Sequence, residues 1–118
     1  MERQEHIIDL TYVKDMAGGS MDLVREMINI FIAQIPEFLE EMRSCHKKED
    51  WYRLGLIAHK AKSSVAVMGM EQQAMDLKEL ESLAKEAKDT DRYKTMIDKF
   101  EDHCNQAIEE LNRIKNSD

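Results

Sequence analysis

The chain has 118 residues, 42% of them hydrophobic and 35% charged, with one proline and four glycines. That length supports one domain with one core, and the composition argues against both a disordered segment and a turn-rich all-β fold. A formal net charge of −7 opposes nucleic-acid binding, because affinity for the phosphate backbone comes largely from clustered Lys and Arg.

The first residues, Met1 to His6, are charged and lead into no long apolar run, so neither a secretory leader nor a membrane span is expected. A short helix follows, with Asp9 as its cap, Leu10 and Val13 facing inward, Met16 a candidate for the same face, and Gly18-Gly19 as its stop. Ser20 then caps a long second helix, whose apolar stripe is Val24, Met27, Ile28, Phe31, Ile35, Phe38 and Met42. Pro36 falls inside it, and its missing N–H and the clash of its ring with the Ile32 carbonyl predict a kink or a break.

Glu49-Asp50 opens the third helix, which turns Trp51, Leu54, Ala58, Ala61, Val65 and Met68 inward and closes at Gly69 with a left-handed cap. Met70, Ala74, Leu77, Leu80 and Ala84 give the stripe of a fourth helix, and Asp89-Thr90-Asp91 supplies the next turn and cap. The fifth carries Tyr93, Ile97, Phe100, Cys104, Ala107, Ile108, Leu111 and Ile114, with residues 1–7 and 115–118 expected to fray. These spacings predict an all-α fold over 1–118: an antiparallel four-helix bundle with the short N-terminal helix across one end. Cys45 and Cys104 lie in different helices without metal-type spacing, as free thiols would in a reducing, cytoplasmic compartment.

At about 100° per residue, His59 points more than a quarter-turn away from the centre of the third helix's apolar stripe and should reach solvent. Gly55 and Ser63, one turn to either side, are small and leave the ring accessible, although Gly55 could equally serve packing against a neighbouring helix. From Lys47 to Lys62 the chain has Lys47, Lys48, Arg53, Lys60 and Lys62 against Glu49 and Asp50, a local basic patch on an acidic protein. Lys62, one turn past His59, could stabilise a phosphoryl group there by charge-assisted hydrogen bonding.

A nucleophilic histidine also needs its second ring nitrogen held as a donor. Glu81 is the candidate, since it interrupts the apolar stripe of the fourth helix, where a carboxylate without a partner would be costly. Lys85, one turn on, could add a second positive charge near the phosphate. Met16, Gln34 and Lys60 are candidate rim residues for a docking partner, and Met21, Ile7, Ile8 and Tyr12 could extend an exposed apolar surface. His6, His46 and His103 read as surface or boundary histidines, and the Glu109-Glu110 pair as a solvated face.

His59-Lys60-Ala61-Lys62-Ser63-Ser64, followed by Gly69, resembles the H-x-x-K-G-S signature of histidine-containing phosphotransfer (HPt) domains. The run from Asp9 to Gly19, the segment from Phe31 to Met42 and the Asp50-Trp51 helix start also look typical of stand-alone bacterial HPt modules. The resemblance implies a phosphorelay carrier: His59 takes a phosphoryl group from the aspartate of one receiver domain and passes it to another. Lys62 would then neutralise the phosphate, and Ser63 and Gly55 would leave space for the docking receiver. The receivers, those of hybrid histidine kinases and response regulators, would bring Mg²⁺, so the chain needs no cofactor, and one accessible histidine lets it act as a monomer.

The family usually has glycine where this chain has Ser63, which leaves a second possibility, an adaptor that docks receivers without transferring. A di-iron bundle is disfavoured by the lack of paired Glu-x-x-His motifs, and a kinase or hydrolase by the lack of a Gly-rich phosphate loop or catalytic triad.

Overall fold

The computed structural model describes residues 7–116, and all regular structure among them is helical. The first helix, α1 (Thr11–Met16), has Leu10 in the N-cap position. Asp9, one residue further out, accepts both the Thr11 N–H at 3.0 Å and the Thr11 hydroxyl at 2.7 Å. Leu10 and Val13 are buried as expected, but Met16 is 57% exposed. Ala17, four residues after Val13, takes the inward place that the spacing also offered to Met16.

Ser20 caps α2 (Met21–Lys48) by accepting the Leu23 N–H at 3.2 Å. Val24, Ile28, Phe31, Ile35 and Met42 form its buried stripe, with Met27 and Phe38 half-buried on the flanks. The helix runs unbroken through Pro36. The proline is exposed, so the missing backbone bond falls on the side of the helix that water can reach.

Left-handed residues end the next helices as Gly18 and Gly19 end α1. At Glu49 (φ 55°) the Asp50 N–H returns to the Cys45 carbonyl at 2.9 Å, and the Asp50 side chain then accepts the Arg53 N–H to start α3 (Trp51–Val67). At Gly69 (φ 77°) the Met70 N–H bonds to the Val65 carbonyl and the Gly69 N–H to the Ala66 carbonyl, each at 3.0 Å. Both bonds belong to the Schellman pattern that satisfies terminal carbonyls. After α4 (Glu71–Lys85) the same pattern recurs at Ala87 (φ 55°), where Lys88 N–H meets the Leu83 carbonyl at 2.9 Å. A single 3₁₀ turn, Thr90–Arg92, leads into α5 (Tyr93–Asn116).

The four long helices form the bundle, with α3 and α4 its most closely paired elements. Tyr93 is fully buried, packs edge-on against Trp51 at 5.2 Å and places its hydroxyl 2.9 Å from the Leu83 carbonyl, tying the end of α4 to the start of α5. Cys45 and Cys104 are buried free thiols, and burial pushes Cys104 up to about 12, which keeps it protonated and inert.

The N-terminal segment is fastened across one end of the bundle. Asp9 N–H bonds to the Met68 carbonyl at 3.0 Å, and Ile7 N–H to Glu110 Oε1 at 3.0 Å. Glu110 is therefore buried, in contrast to the solvated face expected for Glu109-Glu110, while Glu109 is exposed and within 3.9 Å of Arg113. Ile7 and Lys115, expected to fray, each make a tertiary hydrogen bond instead: Ile7 to Glu110, and Lys115 Nζ to Asn29 at 2.6 Å, with α5 continuing to Asn116. The rest of those ends, residues 1–6 with His6 and residues 117–118, lies outside the described residues. No helix among the described residues is long and apolar enough to cross a membrane.

Candidate functional site

The site is built where α3 and α4 approach most closely. Gly55 on α3 is buried, and a Cβ placed on it would lie 2.8 Å from Lys85 Cγ and 3.2 Å from the Glu81 carbonyl oxygen. Its small size admits the α4 backbone, and with it Glu81 and Lys85, to the flank of His59 one turn on. This corrects the expectation that Gly55 leaves space for a docking partner: its space is filled by α4.

His59 stands on the outer face of α3 with its side chain 56% exposed. Its Nδ1 lies 3.0 Å from Glu81 Oε2. The Glu81 carboxylate, 14% exposed, also accepts from Lys62 Nζ at 3.3 Å through Oε1 and from Lys85 Nζ at 2.9 Å through Oε2. Burial alone would raise the pKa of Glu81, but hydrogen bonds from Lys85, His59 and Lys62 outweigh it and hold the carboxyl down at about 2.

An ionised carboxylate can only accept, so Nδ1 must be the protonated nitrogen of a neutral His59 ring. Nε2 is then left with a free lone pair on an exposed side chain, the arrangement a histidine nucleophile requires. The structure thus joins His59, Lys62, Glu81 and Lys85 into one cluster, as the sequence reading expected. It also places both ammoniums on Glu81, a contact that the expected role of the lysines as phosphate ligands did not include.

Ser63 is exposed one turn beyond His59. Gln34 lies outside the cluster, its Oε1 accepting from Ser64 Oγ at 3.1 Å and so joining α2 to α3. That pair borders an apolar groove lined by Met27, Ile30, Phe31, Val67 and Met68. Met16 and Lys60 are exposed and Met21 is partly so; Ile8, in contrast, is buried.

Two residues of the His59 face escaped the sequence reading. Tyr52 and Leu56, 61% and 40% exposed, lie seven and three positions before His59 and continue its stripe toward the start of α3. The spacing 52, 56, 59, 63 is a helical one, and its signal was two large apolar residues on a face otherwise set out for solvent. His46 and His103 are half-buried, His46 against Trp51 at 5.7 Å. Among the described residues no group of three or more His, Cys, Asp or Glu side chains could hold a metal ion.

A family model described as Hpt domain matches residues 26–116. The chain belongs to the Hpt family. The match starts within α2 and takes in every residue of the His59 cluster. Hpt domains are phosphocarrier modules that serve histidine phosphotransfer in phosphorelays. No curated protein and no solved structure gives a significant match to the chain.

Proposed function

We propose that this Hpt domain is a phosphorelay intermediate that accepts a phosphoryl group on His59 from the aspartate of one receiver domain and passes it to another. The observation that carries the reading is the exposed His59 ring with Nδ1 on the ionised Glu81, which leaves Nε2 as the nucleophile. The Nε2 lone pair attacks phosphorus, the bond from phosphorus to the aspartyl oxygen breaks, and its electron pair leaves with the carboxylate. Nε2 carries no proton, so none has to be removed. Return transfer to a second aspartate runs the same steps backward.

Lys62 and Lys85 supply positive charge to the phosphoryl group. Both oxygens of Glu81 are occupied by Nδ1–H and the two ammoniums, which suits a site whose Mg²⁺ arrives with the receiver and not with this chain. The receiver would dock over the exposed stripe of α3 and the groove beside Gln34, with Met16 and Lys60 at the rim. Its sources are hybrid histidine kinases and response regulators, the location is cytoplasmic, and the monomer is the working unit.

The test is incubation with a phosphorylated receiver domain. The expected product is an acid-labile, base-stable phosphoryl label on this chain that His59→Gln abolishes. Label that persists in His59→Gln overturns the assignment, and stable receiver binding without transfer in either direction identifies a docking adaptor instead.

A further inference from the structure

Glu81 does more than orienting an imidazole requires. Its Oε2 serves both His59 Nδ1 and Lys85 Nζ, and its Oε1 serves Lys62 Nζ. The two cations available to a phosphoryl group are thus already held by a carboxylate in the resting site. The charged groups that face His59 are Lys62 from its own helix and Glu81 and Lys85 from α4. Lys60 and Lys78 are exposed and make no ion pair with Glu81, and α2 sets the uncharged Gln34 against α3.

The inference rests on His59 as the carrier. When Nε2 gains a phosphoryl group, the ring becomes an imidazolium that keeps its Nδ1 proton, and two anions, phosphoryl and Glu81, then compete for the same two lysines. We propose that Glu81 sets His59 as a phosphoryl donor and not a store, by competing for Lys62 and Lys85 and by keeping the Nδ1 proton on the phosphorylated ring. In transfer to an acceptor carboxylate, the carboxylate oxygen bonds to phosphorus and the bond from Nε2 to phosphorus breaks. The electron pair returns to Nε2, and the leaving group is neutral imidazole with its proton already on Nδ1. Without that proton the leaving group would be imidazolate, a far poorer one. Both actions of Glu81 speed departure of the phosphoryl group from His59: one loosens the hold of the lysines on it, and the other keeps the leaving imidazole neutral.

The test compares the full chain with Glu81→Gln, which keeps a side-chain oxygen to accept Nδ1–H and removes the charge. Each protein is phosphorylated chemically with phosphoramidate, and phosphoryl loss is followed across pH, alone and with a receiver domain. Loss near neutral pH is expected to slow roughly three- to tenfold in Glu81→Gln, alone and with the receiver, with the alkaline fall-off in rate moved to lower pH. Superimposable pH profiles of two labelled proteins overturn the role of Glu81 and leave the carrier reading standing. Failure of the wild type to take label at His59 from either phosphoramidate or a receiver overturns the carrier reading itself, and this inference with it. A second measurement needs only the wild type: nitrogen-15 resonances of the phosphorylated ring should report a protonated Nδ1 at neutral pH, and a bare Nδ1 overturns the proposal.

Discussion

Ser63 is the residue on which the rate of transfer should depend most simply. It is exposed on the outer face of α3, four positions after His59, where a receiver docked as proposed would pass. Ser63→Gly removes the hydroxymethyl group without touching the Glu81 cluster. Transfer from a phosphorylated receiver should speed up roughly two- to fivefold, while an exposed helical glycine lowers stability by about 0.5 kcal/mol relative to serine. Rapid-quench kinetics and a urea titration read the two effects separately, and an unchanged transfer rate would place Ser63 outside the contact. At this scale the chain was legible where a residue broke a local rule. Glu81 could be singled out because a carboxylate in an apolar stripe needs a partner, and the structure supplies three. Gly55 broke a rule too, but helical spacing alone does not say whether the room beside a glycine belongs to a partner or to a neighbouring helix. Glu110 broke none visible in sequence, because its partner is a backbone N–H 103 positions away.

Among the elements, the turns matter as much as the helices, since each sets the angle at which the next helix returns. Gly69 is required twice over: its φ of 77° disfavours any side chain, and a Cβ would run into the backbone and Cβ of Asp9. Gly69→Ala should therefore cost about 2–4 kcal/mol, the sum of a left-handed penalty and overpacking against a backbone that is held by its bond to Met68. Ala87 occupies the same left-handed position after α4, with φ 55°, but is exposed. Ala87→Gly should relieve that penalty and raise stability by about 0.5–1 kcal/mol after the greater flexibility of glycine in the unfolded chain is counted. Thermal unfolding of the two variants should move in opposite directions; a fall in both would mean that Ala87 makes a packing contribution. The helices themselves were readable from apolar periodicity and caps, with Ser20 and Asp50 bonded as expected. The turn at Asp89-Thr90-Asp91 was readable too, but the left-handed Ala87 before it was not, because alanine gives no turn signal; the Tyr93 hydroxyl gathers the Leu83 and Lys88 carbonyls on either side of it.

For the molecule as a whole, the charge balance sets how stability responds to acid. With a formal net charge of −7 at pH 7 and a pI near 5.1, mild acidification relieves self-repulsion. Three carboxyls oppose further acidification because folding lowers their affinity for protons. Glu81 is held at about 2 against an ordinary value of 4.5, burial being outweighed by Lys85, His59 and Lys62. Asp9 is lowered by its bonds from Thr11, and Asp98 by Lys94 and Arg43. A carboxyl whose folded value is depressed binds fewer protons folded than unfolded, so its contribution is complete above the unfolded value and is lost as pH falls through the folded one. The unfolding midpoint should accordingly stay level or rise slightly from pH 7 toward about pH 5, then fall from about pH 4.5 to about pH 2. Glu81 is the most buried of the three, and screening by solvent around its partly exposed partners leaves it about 1–2 kcal/mol of that acid-sensitive stability. Glu81→Gln tests this directly, because the amide cannot titrate: its midpoint should lie below wild type at neutral pH, with the gap closing as pH approaches 2. A constant gap across that range would mean that Glu81 stabilises the fold through packing, with its charge making no difference.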